Sequence, residues 1–320
     1  MKNTVYLLSV AIAATLLVNA ASAAVVVCAD GTGDFKSVQE AVNAAPSNDK
    51  QPFVIQIKPG VYKGHIVVPA DKPFLTFRGE AGSLTVLTDD KTIAALDPHG
   101  NKLGTPNSAT VFILGRDFTA ENITFENSAG NVGQALAVYA SADRGRFQGC
   151  RFLGWQDTVR VENGRHYFAD CYLAGHCDFI YGNATAFFDR CEVHCRADGF
   201  ITAASTPETN RFGFVFRDCR VTAEPTVKCT FLGWPWRSFA NVIFLKTDLP
   251  AGIAPAGWDN WRDPSRETTA RFAEFRSRGP GANPTKRVKW SRQLSDAEAA
   301  VITVETVLRG DDGWNPQVQR

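Results

Sequence analysis

Phe147-Gln148-Gly149-Cys150-Arg151-Phe152 recurs 21 residues later as Phe168-Ala169-Asp170-Cys171-Tyr172-Leu173, and each copy is followed, seven residues after its cysteine, by an aspartate, Asp157 and Asp178. The pattern Phe-x-x-Cys-x-apolar appears in four segments, 147–152, 168–173, 188–193 and 216–221, and an earlier stretch, Asn122-Ile123-Thr124-Phe125, fits with Ile123 at the cysteine position. Successive spacings are 27, 21, 20 and 28 residues. A minimum near 20 with longer insertions is the signature of a parallel β-helix, in which each coil buries its inner face only against the coils above and below. A leucine-rich solenoid would need a Leu-x-x-Leu-x-Leu series, and an up-and-down barrel would not stack a Phe/Cys ladder. The expected fold is all-β, a single-stranded right-handed parallel β-helix.

Stacked coils place the two aspartates on neighbouring rungs, ~4.8 Å apart. Two carboxylates so close do not both ionise readily, so their pKa values split toward an acid and a base. With the amide of Gln156 beside them, such a pair can run nucleophilic or acid–base chemistry while amide donors hold an oxyanion. An aspartate in a solenoid is more often a turn residue; the shared phase and flanking aromatics argue for more here.

The rest of the chain frames that repeat. Its 320 residues, 44% of them hydrophobic, are ample for a large core, and a net charge of +1 without charge blocks selects neither nucleic acid nor an anionic membrane. Residues 1–23 read as a secretory signal: Lys2, an apolar stretch over 5–17, then Ala21-Ser22-Ala23. The stretch is short for a membrane span. Cleavage after Ala23 leaves one domain, 24–320, working outside the membrane in the periplasm or the medium. Eight cysteines suit that oxidising setting, but no pair has zinc-ligand spacing, so no metal is expected. The ladder cysteines are either stacked small core residues or, in part, rung-to-rung disulfides. Strands are expected over 53–57, 74–77 and 83–87. Ser37-Val38-Gln39-Glu40 is a capping box opening a helix that stops before Pro46, and Ser295-Asp296-Ala297-Glu298 opens another through about Leu308. Both helices are expected to cover end rungs, and the irregular stretch 258–284 to pack along the outside. Gly31-Thr32-Gly33 is a turn, not a nucleotide loop. His176, two residues before Asp178, reads as a solvated turn residue, against lining the cleft.

From about Val27 to Trp314 the chain resembles the pectin methylesterases, with a look closest to the bacterial branch. The matching segments include Asp34-Phe35-Lys36-Ser37-Val38-Gln39-Glu40-Ala41, Gly60-Val61-Tyr62, Asn122-Ile123-Thr124-Phe125-Glu126-Asn127 and Gly133-Gln134-Ala135-Leu136-Ala137. They continue through Gly154-Trp155-Gln156-Asp157-Thr158, Asp178-Phe179-Ile180-Tyr181-Gly182-Asn183-Ala184, Leu232-Gly233-Trp234-Pro235-Trp236 and Gly257-Trp258-Asp259-Asn260-Trp261. The resemblance implies a parallel β-helix that hydrolyses galacturonate methyl esters of pectin without a cofactor. It implies Asp178 as nucleophile, Asp157 as general acid and then base, and Gln134 and Gln156 as oxyanion donors. Phe179, Tyr181 and Trp236 match aromatic positions in the sugar cleft, and Trp155 is placed to stack on sugar too. Cys191 and Cys219 match a pair that the plant enzymes bridge; the family's other bridge is lost at Ile123. A monomer is the default for a capped solenoid.

Two positions depart from the family. Gly64 stands where the family has Glu, away from the dyad. Trp234 stands where the family has the arginine that orients the nucleophile and favours its ionised form. Arg237, three residues on, is the nearest replacement cation, against its reading as a rim arginine. The loss of the arginine motivates an alternative, a catalytically weak or inactive homologue that still binds pectin or another polysaccharide with Trp234 in its aromatic cleft. A pectate lyase or polygalacturonase on the same fold would need a calcium-binding carboxylate cluster and a basic abstractor.

Overall fold

The computed structural model describes residues 24–318, so the signal expected over 1–23 lies outside the described residues. Two long sheets run the length of the molecule, one of 11 strands and one of 12. All the ladders are parallel. Strands adjacent in a sheet come from successive coils, so the architecture is the expected parallel β-helix, right-handed as parallel crossovers are. The strand expected over 53–57 is Phe53–Ile57. The next two fall at Leu75–Arg78 and Thr85–Asp89, within two residues of expectation.

The repeat works through two devices. The first is a ring stack: Phe147, Phe168, Phe188, Phe216 and Phe244 lie on successive coils with centroids 4.7, 4.6, 4.4 and 4.5 Å apart. Each ring is fully buried, worth ~1.5–3 kcal/mol in apolar burial. The second is a turn ladder. The residue before each cysteine position adopts positive φ: Asn122 (56°), Gly149 (61°), Asp170 (53°), Arg190 (52°) and Asp218 (52°). One left-handed residue per coil bends the chain from the first sheet into the second and then delivers the cysteine inward. Cys150, Cys171, Cys191 and Cys219 are buried there as free thiols. Cys191 and Cys219, matched above to a bridge, are not joined; their Sγ atoms donate to the Phe168 and Phe188 carbonyls at 3.5 and 3.4 Å. Small apolar packing is therefore the role the cysteines fill in this structure.

The two ends differ: the N-terminal one is as expected and the C-terminal one is not. The first helix, Val38–Ala44, does cover the N-terminal coil, and its capping box is made as read. The C-terminal helix is two pieces, Asp296–Ala300 and Val304–Leu308, because Thr303 starts a fresh capping box with Thr306. Neither piece covers an end rung. Ile302, Val304, Val307 and Leu308 pack on the outer face of the 11-stranded sheet, against Tyr167, Phe187, Val215 and Ile243. The stretch 258–284 does not run along the outside but forms a further coil, on which Arg292–Gln293 pairs as the last strand of the sheet. Its strand Arg271–Phe275 extends the 11-stranded sheet, and Trp258 stacks on Phe272 with centroids 4.4 Å apart inside the core. The buried Arg287–Glu274 pair, Nε to Oε1 2.6 Å, ties this last coil down, with further guanidinium bonds to the Pro255 and Gly281 carbonyls. Full pairing is what makes a buried ion pair tolerable.

Candidate active site

The site grows from a break in the 12-stranded sheet. One coil interrupts its strand between Arg151–Leu153 and Val159–Val161, whereas the next runs unbroken over Tyr172–Gly182. Bridges pair Gln134 with Gln156 and Gln156 with Cys177, and Val159 faces Ile180. The register therefore sets Asp157 directly against Asp178, on neighbouring coils, as the spacing required. Both aspartates sit at positive φ, 64° and 52°, and the ladder from Tyr172–Gly182 to the following coil, Glu192–Ala204, shifts register between Cys177 and Ile180. Such irregularities re-aim side chains beside active sites, and Asp tolerates the left-handed region better than most residues. Gly175 makes the close approach possible: a Cβ there would lie 2.3 Å from the Phe179 Cβ and 2.7 Å from the Trp155 carbonyl.

Beyond the break, alternation resumes. Val138, Val159 and Ile180 point into the main core, while their neighbours Tyr139, Arg160 and Tyr181 form a stripe on the outer face. Ala203 and Trp234 continue that stripe. The dyad lies beside it. Two half-open hollows, about 380 and 360 Å³, lie elsewhere, lined by the 11-stranded sheet and the C-terminal helices. The stripe opens to solvent only in part: Tyr139 and Arg160 are half-buried, whereas Tyr181, Ala203 and Trp234 are buried.

Burial, with the negative charge of Asp178 added to it, pushes the Asp157 carboxyl up to about 7, against hydrogen bonding from Tyr181 and Gln134 and the charge of Arg160. Burial also raises Asp178, to about 6, and hydrogen bonds from Trp234 and Cys177 oppose it. Between those values Asp157 holds a proton while Asp178 is a carboxylate, which is the division an acid and a nucleophile need. The Cys177 thiol is pushed up to about 12, chiefly by burial, and is no nucleophile near neutrality.

Trp234 is where the structure most changes the sequence reading. Its indole Nε1–H donates to Asp178 Oδ1 at 2.6 Å. The residue is buried, so it is no sugar platform. Ala203, on the coil between, leaves room for the indole, and Trp261 stacks over it at 3.8 Å and 15°. The alternative of a weak homologue rested on Asp178 losing its donor; a donor is present, neutral where the family's is charged. Arg237 does not replace that cation. It is exposed, bonds the Trp236 carbonyl and covers the Trp236 ring at 4.7 Å.

The other expected residues divide. Gln134 and Gln156 stack beside the aspartates, Gln134 exposed and Gln156 half-buried. Tyr181 is buried against Asp157 and Trp236, and Trp236 is half-exposed. Phe179 is fully buried in the main core and cannot reach a sugar. Trp155 is half-exposed, with Arg196 4.1 Å over its ring and bonded to the Gly154 carbonyl. His176 lies at Trp155, half-buried and with its pKa lowered by burial, and so is not the solvated turn residue expected. Two contributors were missed. Arg160 sits over Tyr139, Tyr181 and Trp236 at 4.8, 5.4 and 5.7 Å and pairs with Glu162. Its place three residues after Asp157, on the strand that leaves the break, was the available signal. Trp261 is half-exposed at φ 55°, held by its backbone N–H bond to Asp259; its motif was read, its stacking role was not. No group of three or more His, Cys, Asp or Glu among the described residues could hold a metal.

Comparison with known proteins finds relatives over most of the chain. A family model described as pectinesterase matches residues 24–311. Pectinesterase 31 of Arabidopsis thaliana is 42% identical over 276 residues, covering 84% of this chain and 87% of that one. The solved pectin methylesterase from carrot superposes with a TM-score of 0.83 at 33% identity, over 90% of this chain and 93% of its own. PemA, a pectin methylesterase from Erwinia chrysanthemi, gives 0.80 at 31% identity, over 93% and 98%.

Proposed function

This chain belongs to the pectinesterase family and hydrolyses the methyl esters of galacturonate in pectin, and we propose that Asp178 and Asp157 carry that reaction as nucleophile and acid–base. Asp178 attacks the ester carbonyl through the oxygen that Trp234 leaves free. The negative charge that develops on the carbonyl oxygen is met by the amide N–H groups of Gln134 and Gln156. Collapse of the tetrahedral species breaks the carbon–methoxy bond, and the Asp157 proton goes to the departing oxygen as methanol leaves. An acyl anhydride on Asp178 remains. Asp157, now a carboxylate, takes a proton from water as that water attacks the acyl carbon. The de-esterified galacturonate unit, still part of the pectin chain, departs as its acid, Asp178 is again a carboxylate, and Asp157 is again protonated.

The observation that carries this assignment is the placement of the two carboxylates on facing positions of neighbouring coils, Asp157 the more reluctant to ionise. Trp236, Trp155 and Trp261 supply aromatic surface for the sugars, and the buried Tyr181 backs Trp236 and Asp157. The apolar leader ahead of Ala24 supports export to the periplasm or the medium, and no helix among the described residues is long and apolar enough to cross a membrane. A monomer fits an elongated solenoid. The test is methanol release from methyl-esterified pectin by wild type, Asp178→Asn and Asp157→Asn, each checked for native circular dichroism. Wild type should release methanol and Asp178→Asn none above the blank. Undiminished release by folded Asp178→Asn would refute the nucleophile.

A further inference from the structure

Asp178 has two oxygens, and the protein treats them differently. Oδ1 accepts the indole N–H of Trp234 at 2.6 Å. The indole comes from a strand two coils away, Thr230–Pro235, and crosses above Ala203, the small residue between Tyr181 and Trp234 in the outer stripe. Its other face is covered by Trp261, ring planes 15° apart and centroids 3.8 Å. Phe200 touches both rings edge-on, at 6.4 Å from Trp234 and 5.5 Å from Trp261. An indole held on two sides has one orientation, so its N–H points along one line.

Resting on the nucleophile assignment above, we propose that Trp234 is the positioning residue of Asp178: a clamped, neutral indole donor that fixes Oδ1 and presents the second oxygen to the ester. Trp261 and Ala203 are the parts that make the clamp. The family's arginine would do the same with a full positive charge, so the exchange keeps orientation and gives up electrostatic support for the carboxylate.

The groups facing Asp178 bear this out. Asp157 faces it from the preceding coil, and Cys177 adjoins it on its own strand. Arg160 and Tyr181 act on Asp157. His176, also on its strand, turns to Trp155, and Arg196 lies over Trp155. At the Trp234 end, Arg266 is bound to the Pro235 and Trp236 carbonyls and Arg237 to the Trp236 carbonyl. None of these cations bonds the Asp178 carboxylate. The donors that restrain its pKa are therefore neutral, and the Trp234 bond is the first of them. Ionisation of the nucleophile then limits activity on the acid side, at a pH that the donor at position 234 sets.

The experiment measures kcat and KM against pH for wild type, Trp234→Phe and Trp234→Arg. Trp234→Phe keeps a ring to stack under Trp261 but loses the N–H. Its kcat should fall ~10-fold or more, the worth of one hydrogen bond to a charged group, with KM nearly unchanged. Its acid limb should move to higher pH, since a carboxylate that loses a donor is harder to ionise. Trp234→Arg should move the acid limb to lower pH than in Trp234→Phe. An unmoved acid limb in Trp234→Phe, whether kcat holds or falls, overturns the proposal, because a merely structural role lowers the rate without shifting the titration. A second readout needs no change at Trp234. With the tryptophans 15N-labelled, the Trp234 indole proton resonance should titrate with pH in wild type and not in Asp178→Asn; a pH-independent resonance in wild type overturns the proposal. If Asp178→Asn is inactive and these shifts are absent, this inference alone fails. If Asp178→Asn is active, the nucleophile assignment fails.

Discussion

Replacing Asp157 with Asn should stabilise the fold while it removes the chemistry, and the stabilisation should have a definite pH dependence. In the folded chain burial and the Asp178 charge lift the Asp157 carboxyl from 3.8 to about 7. A carboxyl raised on folding contributes stability that is fully present below its unfolded pKa and lost as pH rises through the folded one. For Asp157 the loss begins near pH 4 and is complete above about 7. Slightly more than three pH units at ~1.4 kcal/mol each set a ceiling of ~4 kcal/mol. Asparagine does not titrate and so does not incur this loss. The assay is urea unfolding of wild type and Asp157→Asn across that pH range. The difference at acid pH absorbs whatever the amide does to packing; the growth of that difference toward pH 8 reports the buried carboxylate. The variant should gain on wild type by up to ~4 kcal/mol between the two ends, while kcat falls ~100- to 10,000-fold for want of a general acid. A difference that stays constant across the range refutes the claim that the fold bears the cost of this carboxylate's charge.

The pH profile of kcat/KM should be a narrow bell, rising as Asp178 ionises through about 6 and falling as Asp157 loses its proton through about 7, the two limbs belonging to the pair as a whole; a plateau extending above pH 8 would contradict Asp157 as the acid. A thiol reagent should modify the exposed Cys229 first in the native protein and reach Cys150, Cys171, Cys191, Cys195 and Cys219 only after unfolding, with all eight cysteines titrating in denaturant without reductant; six would mean that one pair is bridged.

The dyad was legible because it is a matter of phase. Once coil length is read from the Phe/Cys ladder, the 21-residue interval leaves Asp157 and Asp178 no choice but to face each other. Capping boxes at Ser37 and Ser295 were legible for the same kind of reason, since their bonds close within four residues. Phe179 shows where phase stops being enough. Strict alternation from the inward Ile180 would send Phe179 outward, to the sugars; the left-handed Asp178 and the register shift beside it turn the ring inward instead. The C-terminal helices were misplaced because an apolar helix face says only that it must be covered. Both an end rung and the outer face carrying Tyr167, Phe187, Val215 and Ile243 could do that, and the latter was invisible until the sheets were assembled.

The sequence alone determined the solenoid, its coil length and the pairing of the two aspartates, since each follows from a repeat that every coil must satisfy to bury its inner face. Tertiary structure decided how the nucleophile is held. The Trp234 indole and the Asp178 carboxylate are 56 residues apart and meet only because Ala203 leaves space between their coils and Trp261 closes over the ring. A missing arginine read from sequence is a missing charge; only packing shows that another side chain already occupies its hydrogen bond.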